Sequence, residues 1–248
     1  MGNTHRFDGK SKIYDAARPK YNEKLFDFFE NTLGIRHGAV FADIGSGTGI
    51  FSEQLLNRGY RVFAIEPNSD MRKTAEEKLS KNPDFTSVNG EDCNMNLPDN
   101  TAECITAAQA FHWFDPAAFK KECRRVLKPN GKVIIIYNSR DVNAECTRAL
   151  ADLHNEYSPD FHGFSNGISD EKCKSFFAGK CSIFSADNSQ TYTKQSYINR
   201  VLSSSYALKP EDSRYEEYIR KIGGLFDEFS VSGQLTVPVY TLAYAGKV

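Results

Sequence analysis

Val40-Phe41-Ala42-Asp43-Ile44-Gly45-Ser46-Gly47-Thr48-Gly49-Ile50-Phe51 decides the fold. An apolar run carrying one acid breaks into three glycines at alternate positions, and an amphipathic segment follows at once. Strand, tight turn and helix in that order bring bare backbone up to a bound cofactor at a helix N-terminus. Glycine serves there because a Cβ would block close approach, and because such turns often need φ above zero. A dinucleotide fingerprint would put Gly or Ala at position 50, where this chain has Ile50. The spacing therefore favours a nucleoside cofactor without a pyrophosphate. No Lys-Ser/Thr pair follows the glycines, which excludes a Walker A loop.

Working outward, Tyr60-Arg61-Val62-Phe63-Ala64-Ile65-Glu66 reads as the next strand, with Pro67 directly behind it. Glu66 falls about 20 residues past the first glycine, where a carboxylate accepts hydrogen bonds from ribose hydroxyls. Asn89-Gly90-Glu91-Asp92 ends a third strand, and Ala107-Ala108-Gln109-Ala110-Phe111-His112-Trp113-Phe114-Asp115 ends a fourth. Together these segments resemble the class I S-adenosylmethionine-dependent methyltransferases. The Ala-Gln-Ala-Phe-His-Trp-Phe run, with Leu202-Ser203-Ser204-Ser205-Tyr206 and Tyr240 to Lys247, is similar to the small-molecule branch that includes trans-aconitate methyltransferase-like proteins.

The resemblance implies S-adenosyl-L-methionine as cofactor. It assigns the cofactor to Asp43, Gly45, Ser46, Gly47, Thr48, Gly49, Glu66, Pro67, Glu91, Asp92, Cys93, Gln109 and Phe111. An acid of the Glu91-Asp92 pair would meet the adenine amine, and a backbone N–H there a ring nitrogen; which residue takes which role stays open. The acceptor would lie against Tyr14, Arg18, His112 and Trp113, with His112 as the candidate general base if the acceptor is a hydroxyl or an amine. A carboxylate acceptor would need no base, and Arg18 or an arginine of the cap could hold an acidic substrate. Two other functions remain: a cofactor-binding protein without transfer activity, and a nucleic-acid methyltransferase. The latter would want a basic face or an Asn/Asp-Pro-Pro-Tyr/Phe motif where this chain has Gln109-Ala110-Phe111-His112.

The chain has 248 residues, 40% hydrophobic, which suffices for one large domain with a substantial core. A net charge of −1 argues against binding nucleic acid by phosphate neutralisation. No apolar run approaches membrane-spanning length, and the N-terminus lacks an apolar signal core, so the expectation is a cytoplasmic protein, monomer or homodimer, acting on a small molecule. Six cysteines without a CxxC pair read as free thiols, and the histidines lack the periodicity of a metal site.

From residue 40 the chain alternates strands and helices, which specifies a doubly wound, mostly parallel seven-stranded sheet of the Rossmann-like methyltransferase type with a helical cap insertion. The expected plan is one domain, 1–248. A helix or lid occupies 1–33, a cofactor core 35–140 and a partial substrate cap 141–231. Asn22 caps a helix to about Leu33; it is either packing with a plain leader or a segment that folds Tyr14 and Arg18 over the cofactor. Further helices are expected at 48–58, 68–80, from Asp115, at 142–157, 196–205 and 211–229. Expected strands include 85–89, 103–107, 132–137, 181–187 and 237–246, with Pro129-Asn130-Gly131 as a turn.

Overall fold

The computed structural model describes residues 18–164 and 169–248. Tyr14, with the rest of the leader, lies outside them. Among the described residues the first element is α1, Lys24–Asp27, which continues as a π-helical turn, Phe28–Thr32. Asn22 Oδ1 accepts the Lys24 N–H at 2.8 Å at its start. There follow β1 (Val40–Ile44), α2 (Ile50–Asn57), β2 (Arg61–Ile65), α3 (Ser69–Leu79), β3 (Phe85–Val88) and β4 (Ala102–Ala108). After them come α4 (Pro116–Val126), β5 (Leu127–Arg140), α5 (Glu145–Tyr157), α6 (Asp170–Phe176) and β6 (Ser182–Asp187). The chain ends with β7 (Gln190–Tyr192), α7 (Lys194–Leu202), α8 (Tyr215–Phe229), β8 (Leu235–Val237) and β9 (Val239–Gly246).

Seven strands form one sheet in the order β3-β2-β1-β4-β5-β9-β6. The first five run parallel, and β9 inserts antiparallel between β5 and β6. The order reverses between β1 and β4, and ligands of open α/β sheets bind beyond the strand carboxyl ends at such a point. Alternation along the strands feeds two apolar layers. Phe41, Cys104, Ile134 and Ile136 pack with α1 and α2, while Ala42, Ile105, Val133 and Ile135 pack with α4 and α6. A third core joins α5, α7 and α8 to the β7–β8 pair through Leu150, Tyr197, Tyr218 and Phe226.

Local signals set the helix starts. Asn68 Oδ1 accepts the Met71 N–H at 2.9 Å at α3, and Asp115 Oδ1 accepts from Ala117 and Ala118, with Pro116 at the first position of α4.

Three features differ from the sequence reading. Pro129-Asn130-Gly131 does turn, with Asn130 at φ 67°, but β5 stays paired with β4 on both sides of it, Leu127 to Ala102 and Lys132 to Cys104. The turn is thus a bulge inside a long strand. The expected last strand is two strands, because Pro238 lacks the N–H needed to continue a ladder. Finally α6, within the expected cap, buries Cys173 and Phe176 beneath the sheet rather than in the third core.

Candidate functional site

Beyond β1 the chain turns through left-handed φ values of 65° at Gly45, 57° at Gly47 and 79° at Gly49. The three glycines answer to different constraints. A Cβ on Gly45 would come 2.7 Å from Ala110 Cβ, and one on Gly49 2.8 Å from Leu79 Cδ1, so packing demands both. A Cβ on Gly47 would meet nothing within 4 Å. Its bare backbone faces open space, as close approach of a ligand to the main chain requires. Gly49 is also the N-cap of α2, and no side chain caps that helix, so its first amides keep their donor capacity.

Asp43, at the end of β1, is entirely buried. Its Oδ2 accepts the Ser52 hydroxyl at 2.7 Å and its Oδ1 the Thr106 hydroxyl at 2.9 Å. Burial pushes its carboxyl up to about 6, against the pull of those two donors. Glu66, after β2, accepts the Gly47 N–H on Oε2 at 2.9 Å and the Asn68 N–H on Oε1 at 2.8 Å. Burial raises its pKa as well. Each oxygen has used one lone pair, so Glu66 keeps capacity for two further donors. At the third corner Glu91 and Cys93 are exposed, with Cys93 Sγ 4.0 Å from Glu91 Oε2. Asp92 Oδ2 accepts the Asp115 N–H at 3.2 Å, which ties this corner to the start of α4.

Gln109, at the end of β4, holds φ at 56°, a left-handed conformation rare outside glycine. Its Nε2 donates to the Asn138 carbonyl at 3.0 Å, and its Oε1 is buried without a hydrogen-bond partner among the described residues. Gln109 thus combines an uncommon backbone conformation with an unpartnered buried acceptor, a combination that accompanies functional sites. Phe111–Trp113 then form a single 3₁₀ turn. Phe111 was expected beside the cofactor; it is wholly buried among Phe114, Phe119 and Phe176 instead, because an unpolar ring gains more there.

The His112 N–H donates to the Tyr137 hydroxyl at 3.0 Å, and His112 Nδ1 lies 3.3 Å from that same oxygen. Which of the two donates in this second contact depends on the imidazole tautomer, because the hydroxyl can accept twice or give its own proton to Nδ1. Burial, then Arg18 and Lys172, lower the ring to about 3. Such an imidazole takes up a proton poorly at neutral pH, and this argues against His112 as general base. Trp113 packs against it with ring centres 4.6 Å apart and the planes tilted by 47°.

A cleft of about 730 Å³, measured out to its open mouth, lies at the switch point. Asp43, Gly45, Ser46, Gly47, Thr48 and Gln109 line it, joined by Arg18, Asn138, Arg140, Tyr192 and Arg200. Glu66, Pro67, Glu91, Asp92, Cys93, His112 and Trp113 stand outside that lining, as does Gly49. Glu66 nevertheless touches the cleft's wall through its bond to Gly47.

Residues 42–135 match the family model of a methyltransferase domain. An uncharacterised methyltransferase of Mycobacterium tuberculosis is 31% identical over 140 residues, 56% of this chain and 55% of that protein. One from Schizosaccharomyces pombe is 28% identical over 152 residues, 61% of this chain and 58% of its own length. The chain thus spans little more than half the length of the curated relatives it matches. Among solved structures, a protein of Anaeromyxobacter dehalogenans described as a type II methyltransferase superposes with TM-score 0.68 at 19% identity, covering 93% of this chain and 97% of that one. A SAM-dependent methyltransferase of Aquifex aeolicus gives 0.55 at 18% identity, covering 96% and 98%. Residues 42–135 thus carry a methyltransferase domain, on the fold that these solved methyltransferases share.

The cofactor that a methyltransferase domain on this fold implies is S-adenosylmethionine, and the cleft suits it on the chain's own evidence. Gly47 presents open backbone, and Asp43 with the orphaned Gln109 Oε1 presents acceptors to an ammonium group. Sequence reasoning missed Arg140, Arg200, Tyr192 and Asn138. The first stands at the carboxyl end of β5, where the strand-end rule would have found it. For Arg200, inside a polar helix, the sequence carries no signal. All six cysteines are free thiols. No helix among the described residues is long and apolar enough to cross a membrane.

Proposed function

We propose that the chain transfers a methyl group from S-adenosylmethionine to a small molecule, and that the acceptor atom needs no base. The observation that carries this reading is the cleft itself. One continuous cavity runs from the Gly47 turn to Tyr192 and Arg200, residues of the candidate cap. Its wall therefore joins the cofactor side to the segment proposed to hold the acceptor.

Bound S-adenosylmethionine supplies a methyl carbon already activated on a sulfonium, so alignment and exclusion of water matter more than acid or base help. Within that reading Gly47, the first amides of α2, Asp43 and Gln109 hold the amino-acid end, and Glu66 accepts from the ribose hydroxyls. Asp92 belongs to the adenine corner. Trp113 and His112 form a wall beside the acceptor. The weak basicity of His112 favours an acceptor that reacts without giving up a proton, a carboxylate rather than a hydroxyl. The cap, on this view, is α5, α7 and α8 with β7–β8, which share their own core.

The test uses S-adenosylmethionine labelled in its methyl group and a cell extract divided by size. Label is expected in the fraction below a few kilodaltons, as a base-labile ester. Label in protein or nucleic acid would contradict the small-molecule reading, and no label in any fraction would favour a binding protein.

A further inference from the structure

Three guanidinium groups converge where the cleft runs away from the glycine turn. Arg18 precedes α1, Arg140 ends β5 and Arg200 lies in α7; all three line the cleft and are partly buried. Arg18 and Arg200 meet at Ser203. Arg18 Nη2 approaches its carbonyl and Arg200 Nη1 its hydroxyl, each at a long 3.4 Å. Arg140 lays its guanidinium 5.2 Å from the centre of the Phe164 ring.

The charge around Arg140 and Arg200 is unbalanced. Among the described residues no carboxylate pairs with Arg140 or Arg200, and the charged neighbours acting on Arg200 are Arg18 and Arg140 themselves. Asp43 is the one acid in the described lining, and it is already engaged by Ser52 and Thr106. Burial, followed by the two neighbouring arginines, pulls Arg200 down to about 9, still protonated at neutral pH. Like charges held together out of water are costly unless an anion completes them. S-adenosylmethionine does not supply the balance. Its sulfonium and ammonium outweigh its one carboxylate, so a loaded cleft is more positive than an empty one.

We propose that Arg140 and Arg200, with Arg18, form the acceptor site of this methyltransferase, and that the site takes a small molecule bearing at least two anionic groups. The inference rests on the cofactor reading above and adds the substrate class to it. If the cofactor's carboxylate engages Arg18, two guanidinium groups still remain. Each offers a planar fork of donors that matches a carboxylate or a phosphate oxygen pair. Tyr192, in the same wall, adds a hydroxyl. Neutral and cationic acceptors would leave these groups uncompensated, which is how the site discriminates.

Calorimetric titration tests this with citrate and succinate as polycarboxylates, glycerol 3-phosphate as a phosphate monoester, and acetate and the diamide of succinate as controls. Each is added to the free protein and to protein saturated with S-adenosylhomocysteine, for wild type and for Arg140→Gln, Arg200→Met and Arg200→Lys. At least one polyanion is expected to bind in the submillimolar range while acetate and the diamide do not. The polycarboxylate and phosphate arms show which anion the site prefers. Arg140→Gln and Arg200→Met should each weaken that binding by roughly 10- to 100-fold, the size of one charge-assisted hydrogen bond, and Arg200→Lys by less. Thermal unfolding of every variant establishes that it is folded. Absence of polyanion binding in wild type overturns the proposal, and so does binding that the arginine variants leave unchanged. Loss of S-adenosylhomocysteine binding in Arg140→Gln and Arg200→Met would also overturn it, by giving those arginines to the cofactor. Polyanion binding without S-adenosylhomocysteine binding would uphold the arginine site and remove the cofactor reading instead.

Discussion

The Gly47 N–H donates to Glu66 Oε2 over 2.9 Å, joining the turn after β1 to the end of β2 by one bond. The other oxygen accepts from Asn68, whose side chain in turn caps α3 through Met71. Glu66 thus fixes the glycine turn and the start of a helix at once. Glu66→Ala leaves two amides without their acceptor and should cost about 1–3 kcal/mol of stability. Urea unfolding of the variant checks this, and an unchanged midpoint would mean that water replaces the carboxylate at no cost.

The glycines separate packing from binding. Gly49→Ala drives a methyl to 2.8 Å from Leu79 Cδ1 and 3.1 Å from Ala75 Cβ, at a φ of 79°. The overlap and the left-handed strain should together remove about 2–4 kcal/mol. Gly47→Ala meets no atom within 4 Å and carries only the strain, about 1–2 kcal/mol. Thermal melts of the two variants should rank in that order; the reverse order would contradict the assignment of Gly49 to packing.

Asp43 gives a pH signature of known sign. Its carboxyl is near 6 in the fold against 3.8 ordinarily, so below pH 3.8 both states hold the proton and nothing is lost. As pH rises toward 6 the unfolded chain ionises first and stability falls. Asp43→Asn escapes that loss, so the stability difference should move toward the variant by about 2 kcal/mol between pH 4.5 and 7.5. Denaturant curves at both pH values measure it, and a constant difference would contradict it.

Two histidines act in the opposite direction. His112 and His154 are both lowered to about 3, chiefly by burial, and His154 Nδ1 lies 3.1 Å from the Tyr218 hydroxyl. Below pH 6.5 the unfolded chain binds these protons and the fold does not, so stability is lost as pH falls toward 3. Their ring proton resonances should stay fixed between pH 5 and 8. Titration of His112 near 6.5 would restore it as a candidate base.

The parts of the fold carried by local signals were legible in the sequence. Alternating strands and helices, the Gly45-Gly47-Gly49 spacing, and the caps at Asn68 and Asp115 each depend on residues a few positions apart, as periodicity and capping rules require. The short α6 and the β7–β8 pair were not read, because their apolar residues are too few to show a period. Pro238 was a visible break that the expectation of one long strand passed over. The site divides the same way. Asp43, Gly47 and Gln109 lie at strand ends and line the cleft. Phe111 occupies a strand end too, yet nothing in its position reveals that its ring turns inward to Phe119 and Phe176. Arg18, Arg140 and Arg200 come together only through the fold, since no spacing links residues so far apart in the chain.

The most direct test of the cofactor site is calorimetric titration of S-adenosylhomocysteine into wild type and Gly47→Ala. A Kd in the micromolar range is expected for wild type, with at least about tenfold weaker binding in a variant that still melts cooperatively, because the added methyl occupies the open face of the turn. A folded wild type that releases no heat, or a variant that binds as tightly, would contradict the placement of the cofactor on the Gly47 backbone.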